Sequence, residues 1–285
     1  MRINHNINSL ITQSALSTAG GHLGDSLEKL STGLRINRAS DDAAGLSVSE
    51  QLRTQVRGMG RAKSNAQDGI ALLQIAEGAA NEISSTLQRM RELSIQAAND
   101  TLTSTDRSYL DQEFTALVNE VDRISLSTQY NGQTLIAGGS SSFGGAGSAS
   151  CLLHIGANAV AGTDNIAVTI DAMTGGALSL TGGSVTLGVS TQASALAAVA
   201  SIDTAIGSVN NMRSDVGAYV NRLEHAINNL SNQEFNTQDA ESRIRDVDFA
   251  AESTNFTRHQ ILTQSSTSML SQANAVPQTV LGLIG

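Results

Sequence analysis

Apolar residues recur along this chain in alternating three- and four-residue steps, and the runs divide it into elements. Near the C-terminus Leu262, Ser266, Met269, Ala273, Val276, Val280 and Leu283 are spaced 4, 3, 4, 3, 4, 3. That is a heptad seam, which marks a helix packing along another helix. Its opposite face is Gln, Ser, Thr and Asn, where an ordinary surface helix carries Lys and Glu. From His259 to Gly285 there is no Asp, Glu, Lys or Arg. The N-terminus has the same character. Ile3, Ile7 and Leu10 open a 4, 3 pattern, and Leu16, Leu23, Leu27, Leu30 and Leu34 resume it in a shifted phase. Two seams with uncharged backs are predicted to pack on each other. Gly20, Gly21 and Gly24 each cost a helix interior about 1 kcal/mol relative to Ala, so the N-terminal segment needs a partner to order it. Pro277 costs about 3 kcal/mol inside a helix, which predicts a kink, or a helix ending before it and a short plug over Val280 to Ile284.

Between the termini the pattern predicts more long helices. After a break at Ser31 to Arg38, Ser40 or Asp41 is placed to cap a helix entering Ala43-Ala44-Gly45-Leu46. From Met59 the apolar positions run 62, 66, 70, 73, 76, 80, 83, 87, 90, 93 and 97, a period near 3.5 that predicts one long helix in a left-handed supercoil. Leu110, Phe114, Leu117, Val121 and Ile124 predict a third helix, and Tyr130-Asn131-Gly132 a turn. A Gly/Ser-rich stretch from about Ala137 leads into short β-like runs at Leu152 to Ile155, Ile166 to Ile170 and Val185 to Val189. Helical patterning returns with Leu196, Val199, Ile202, Ile206, Val209, Met212, Val216, Tyr219, Leu223, Ile227 and Leu230. The expected fold is mainly α: long helices in an antiparallel out-and-back coiled-coil bundle with a small β-hairpin insert. The segments expected are 1–42 and 239–285 as terminal coiled-coil parts, 43–136 and 193–238 as a helical shell, and 137–192 as the insert.

Composition narrows the function. Aromatic residues are 3% of the chain and Trp is absent, so Ala, Leu, Ile and Val must do the burying along seams. A net charge of −9 with dispersed Lys and Arg argues against nucleic acid. Polar residues interrupt the C-terminal seam too often for a membrane span. The segment MRINHNINSLITQ has no long apolar core and does not read as a secretory signal. The single cysteine, Cys151, sits at the edge of a β-like run and reads as half-buried filler. His5, His22, His154, His225 and His259 share no metal-ligand spacing, and no HExxH, GK[ST] or GxSxG occurs. No catalytic residue, metal ligand or cofactor is expected, and a self-associating structural protein is.

Four stretches now in view resemble bacterial flagellin, the subunit of the flagellar filament. Leu27 to Arg53 (LEKLSTGLRINRASDDAAGLSVSEQLR) and Asn65 to Gly69 (NAQDG) are similar to its N-terminal signature. Glu241 to Glu252 (ESRIRDVDFAAE) and Ser271 to Ile284 (SQANAVPQTVLGLI) are similar to its C-terminal one. The resemblance covers about residues 1–135 and 194–285. It implies termini paired in a filament core, a helical shell, and a variable middle that points outwards and is short here. It implies a structural subunit that polymerises with itself, its terminal helices folding on assembly, with a hook–filament junction protein as the alternative. The assembly seam is then Ile3, Ile7, Leu10, Leu27, Leu30 and Leu34 with Leu262, Met269, Ala273, Val276, Val280 and Leu283. The implied partners are an export chaperone at the C-terminal segment and the filament cap and hook-associated proteins. The implied location is the extracellular flagellum, reached through the flagellar secretion apparatus. Gln88 to Gln96 also resembles a stretch of the family bound by an innate-immune Toll-like receptor, with Gln88, Arg89, Leu93 and Glu113 as the matching contacts.

Overall fold

The computed structural model describes residues 6–138, 150–158, 160, 162–181 and 187–284, with residues 150 and 277–284 described by their backbone. Five helices dominate: α1 (Ile7–Thr32), α2 (Ala43–Ala97), α3 (Ser104–Ser127), α4 (Gln192–Arg245) and α5 (Phe249–Ile284). Two antiparallel hairpins join them, β1 (Gln129–Tyr130) with β2 (Gln133–Thr134) and β3 (Ser150–His154) with β4 (Asn165–Thr169). The fold is mainly α, with α1 antiparallel to α5 and α2 antiparallel to α4. It divides into two compact units, Met1–Val56 with Phe235–Gly285, and Arg57–Glu234.

In the unit that holds both termini, α1 ends where its sequence breaks. Gly33 takes φ +72° and donates its N–H to the Lys29 carbonyl, a left-handed cap that glycine adopts without strain. The chain then pairs edge to edge with the segment after α4. Arg35 N–H donates to the Arg245 carbonyl at 2.6 Å, and Val247 N–H to the Gly33 carbonyl at 3.0 Å. The cap of α2 falls one residue later than the sequence suggested. Asp42 Oδ1 accepts from Gly45 N–H at 2.9 Å, while Asp41 is spent on the preceding turn, accepting from Asn37 and Arg38 N–H. Arg38, then Asn37, hold the Asp41 carboxyl below its ordinary pKa by those backbone bonds. Arg245 Nη1 reaches Glu50 at 2.6 Å and joins α4 to α2 inside this unit.

Of the two outcomes expected at Pro277, a kink or a helix ending before it, the second does not occur: α5 runs through it to Ile284. A proline cannot donate to the carbonyl four residues back, here Ala273. Asn6 Nδ2 donates to that carbonyl at 2.8 Å. The same side chain caps α1, its Oδ1 accepting from Ser9 N–H at 3.2 Å.

The second unit has one buried apolar cluster. The 3.5-residue stripe of α2 lines it with Ala66, Leu73, Ala76, Ala80, Ile83, Leu87, Met90 and Ala97, Ile70 packing half-buried against it, and Ala62 and Leu93 of the same stripe are buried as well. In α3 the buried face is Phe114, Val118 and Val121, with Leu110, Leu117 and Ile124 at its margin. At the start of α4 the stripe is turned by one position. Ala195, Ala198, Ile202 and Ala205 face inward, and Leu196 stands exposed. Alanines at the contact let helices approach closely, and a leucine beside them stays out. Asn131 (φ +51°) and Gly132 (φ +78°) make the tight turn of the first hairpin, as Asn-Gly does in type I′ turns. The insert contributes Ile166, Val168, Ile170, Met173, Leu180 and Val189 to the same cluster, so it shares a core with the helices. Of the third β-like run expected at Val185 to Val189, residues 185 and 186 lie outside the described residues, and 187–189 are not strand. Two carboxylates of α3 hold the insert's loops: Asp111 accepts from Val189 N–H at 2.6 Å and Asp122 from Gly175 N–H at 2.7 Å.

Candidate assembly and recognition surfaces

The paired termini keep one register along their length. Asn6 meets Ala273, Ser9 Oγ donates to Asn274 Oδ1 at 2.7 Å, the His22 and His259 rings lie 5.2 Å apart, and Leu34 bridges to Asp246. The less exposed face of α1 runs Ser9, Thr12, Leu16, Ala19, Leu23, Ser26 and Leu30. That of α5 runs Phe256, His259, Thr263, Ser266, Leu270 and Ala273. Both step 3 and 4, so this is a heptad contact made largely of small and hydroxyl side chains. Leu30, Leu34 and Ala273 of the sequence-derived seam are half-buried at or beside this contact. Ile7, Leu10, Leu27, Leu262, Met269 and Val276 are exposed on its flanks. Ile3 lies outside the described residues, as do the side chains of Val280 and Leu283. Leu16, Leu23, Leu30, Ser266 and Ala273 of the sequence pattern lie on this face, whereas Ser9, Thr12, Ala19 and Ser26, which complete it on α1, are small residues that a search for large apolar positions passes over.

The long-helix surface carries an ion-pair cluster. Arg89 donates through Nη2 to Glu113 at 2.8 Å and through Nη1 to Glu92 at 3.1 Å. Its hydrogen bonds to Glu113 first, then to Glu92, favour its charged form. Gln88 and Glu113 are exposed beside it. Leu93 is 1% exposed and belongs to the core beneath. The surface open to a partner is therefore Gln88, Arg89 and Glu113, with Leu93 fixing the helix that presents them. Arg91 Nε meets Asp203 at 2.6 Å and ties α2 to α4.

Among the described residues no three His, Cys, Asp or Glu side chains are grouped to hold a metal, and no helix is long and apolar enough to cross a membrane. Cys151 pairs with Val168 across the second hairpin and is half-buried. Burial raises its thiol pKa, which lowers the thiolate fraction a nucleophile needs.

The sequence that folds in this way is similar to known proteins over its whole length. Residues 3–141 match the bacterial flagellin N-terminal helical region, and residues 199–284 the bacterial flagellin C-terminal helical region. Flagellin FlaB2 of Treponema pallidum (strain Nichols) is 43% identical over 286 residues, with 100% of both chains covered. A flagellin of Bacillus subtilis (strain 168) is 44% identical over 306 residues, again with 100% of both covered. The crystal structure of Bacillus cereus flagellin is 31% identical, covering 59% of this chain and 88% of that one, with a TM-score of 0.48. With both family regions matched in order and full-length relatives at this identity, the chain belongs to the bacterial flagellin family, the structural subunits of the flagellar filament.

Proposed function

We propose that this chain polymerises with copies of itself through the α1–α5 pair, and that the terminal helices complete their folding as they assemble. One observation carries the reading. The pair contacts itself along small residues and leaves Ile7, Leu10, Leu262, Met269 and Val276 exposed beside an uncharged helix back, with Leu27 exposed just beyond it, where Asp25, Glu28 and Lys29 begin the charged part of α1. Apolar flanks without charges suit contact with symmetry copies, where fixed charges would repel their own repeats. Ile3, Leu30, Leu34, Ala273, Val280 and Leu283 complete the proposed assembly set. The proposed division is a core of 1–42 with 239–285, a shell of 43–136 with 193–238, and an insert of 137–192.

The experiment replaces Leu10, Leu27, Leu262 and Met269 with Gln, which keeps helix propensity. These side chains are 71%, 58%, 46% and 58% exposed in the single chain. At about 2 kcal/mol for a full side-chain burial, covering what is exposed stabilises a subunit contact by about 5 kcal/mol. Losing it raises the critical concentration for seeded assembly on the order of a thousandfold, since about 1.4 kcal/mol is a factor of ten. Assembly at the wild-type concentration would refute the proposal. A melt of the free chain monitors the second unit's core, which these substitutions leave alone.

The remaining roles are proposals of the same reading. The exposed, uncharged α5 face is a surface for an export chaperone, and the chain ends are contacts for the filament cap and hook-associated proteins. Export through the flagellar secretion apparatus delivers the subunit to the extracellular filament. No enzymatic activity is proposed. A hook–filament junction role is the alternative, and the matched full-length relatives, which are flagellins, favour the filament. Recognition by a Toll-like receptor is assigned to Gln88, Arg89 and Glu113, with Leu93 as their buried support. Reporter cells given monomeric Arg89→Ala are expected to respond less than to wild type, and equal responses sink the assignment. Leu93→Ala empties a core position, so its loss of signal counts only where circular dichroism shows an intact fold.

A further inference from the structure

The uncharged stretches of α1 and α5 each meet the charged part of the chain at a histidine, and the fold brings the two together. His22 and His259 face each other across the antiparallel contact, ring centroids 5.2 Å apart and planes tilted by 31°. Nδ1 of His259 is buried with no hydrogen-bond partner. Beside the pair lies a groove of about 540 Å³, whose lining includes both rings and the hydroxyl-bearing Ser14, Thr18 and Ser266.

We propose that His22 and His259 form a two-histidine site for a borderline divalent transition cation such as Zn²⁺, clamping α1 to α5. The geometry carries this. Zinc binds an imidazole nitrogen at about 2.0–2.1 Å, which puts each ring centre about 3.2 Å from the ion. A tetrahedral angle at the ion then sets the two centres about 5.2 Å apart. The observed separation is 5.2 Å, so the ring centres already stand at the right distance. A turn about the broad χ2 torsion is the motion that points a nitrogen of each ring at a shared ion. It also supplies the orphaned Nδ1 with a partner, in place of an unsatisfied buried group.

No third His, Cys, Asp or Glu joins the pair among the described residues, so the other coordination positions fall to water. The groove gives those waters room, and its three hydroxyls give them hydrogen-bond partners. This is an open, exchangeable site rather than a closed structural one. Its ligands come from opposite ends of the chain, so metal binds the paired state and not separated termini. By mass action it favours pairing. The proposal rests on the α1–α5 pair, which on the proposed function is completed on assembly, so zinc is titrated into assembled filaments as well as into the free chain, and the two readings then fail separately.

The test is a calorimetric titration of the full chain, free and assembled into filaments, with ZnCl₂. One saturable site per chain is expected. His22→Gln and His259→Gln should each weaken binding at least tenfold, and the double variant should lose little more. His225→Gln, on α4, should bind as wild type. Zinc should protect α5 from limited proteolysis in wild type and in neither variant. A second readout needs no variant: zinc should shift the imidazole proton resonances of His22 and His259. The proposal is overturned by absence of saturable binding to filaments and free chain alike, by wild-type affinity in either single variant, by unchanged cleavage of α5 in a zinc-saturated chain, or by shifts confined to other histidines.

Discussion

Asn6 is the residue on which continuity of the C-terminal helix turns, and its two roles can be separated by substitution. Its Oδ1 caps α1 through Ser9 N–H, and its Nδ2 donates to the Ala273 carbonyl that Pro277 leaves without a helical donor. Asn6→Asp keeps an N-cap acceptor, and its charge suits the positive end of α1. It removes the donor to Ala273 and sets a carboxylate against a carbonyl. The loss is one hydrogen bond to a half-buried carbonyl, about 1–2 kcal/mol. Asn6→Ala loses the cap as well, at about 1 kcal/mol more. The decisive comparison adds Pro277→Ala, which restores a backbone N–H for Ala273 and makes the Asn6 donor redundant. Amide exchange of the α5 residues following Ala273 is the assay. Asn6→Asp should speed their exchange about tenfold in the wild-type background, the factor for about 1.4 kcal/mol, and less than threefold beside Pro277→Ala. Equal acceleration in both backgrounds refutes the idea that Asn6 repairs the proline gap.

Leu87, fully buried in the second unit, should cost about 2–5 kcal/mol of stability as Leu87→Ala, read as a drop in the denaturant midpoint with the slope unchanged. Asp111→Leu should free the Val189 amide to exchange while α2 and α4 stay protected, because the carboxylate holds a loop and not the helices. The turn before α2 should respond to acid. The folded Asp41 pKa is lowered, so its contribution is present above the unfolded Asp value and is lost as pH falls through the folded value. Amide shifts of Arg38 and Asn37 should follow that titration, and Asp41→Asn should remove it. Gly20→Ala, Gly21→Ala and Gly24→Ala meet no atom within 4 Å in the single chain, so together they should raise α1 helicity, measured by circular dichroism.

Much of this molecule was legible in its amino-acid order. The 3.5-residue stripe of α2 maps onto buried positions, because a helix with one apolar face has one way to bury it. The Asn-Gly hairpin turn, the break at Gly33 and the pairing of two uncharged terminal seams are likewise local or compositional signals. The long terminal signatures pointed to the family. What the sequence could not settle is the rotation of each helix about its axis. On α4, Leu196 has the stronger hydrophobic signal, yet Ala195 and Ala198 are buried. On the terminal pair, Leu10 and Met269 are exposed while Ser9, Ala19, Ser26 and Ala273 lie at or beside the contact. Hydrophobic periodicity reports that a helix has a partner, but closeness of approach decides which face meets it, and that depends on the neighbour's side chains. The same holds for Pro277. Its cost is written in the sequence, while the Asn6 donor that offsets it, 267 positions from the Ala273 carbonyl, arrives only through the antiparallel register of α1 on α5.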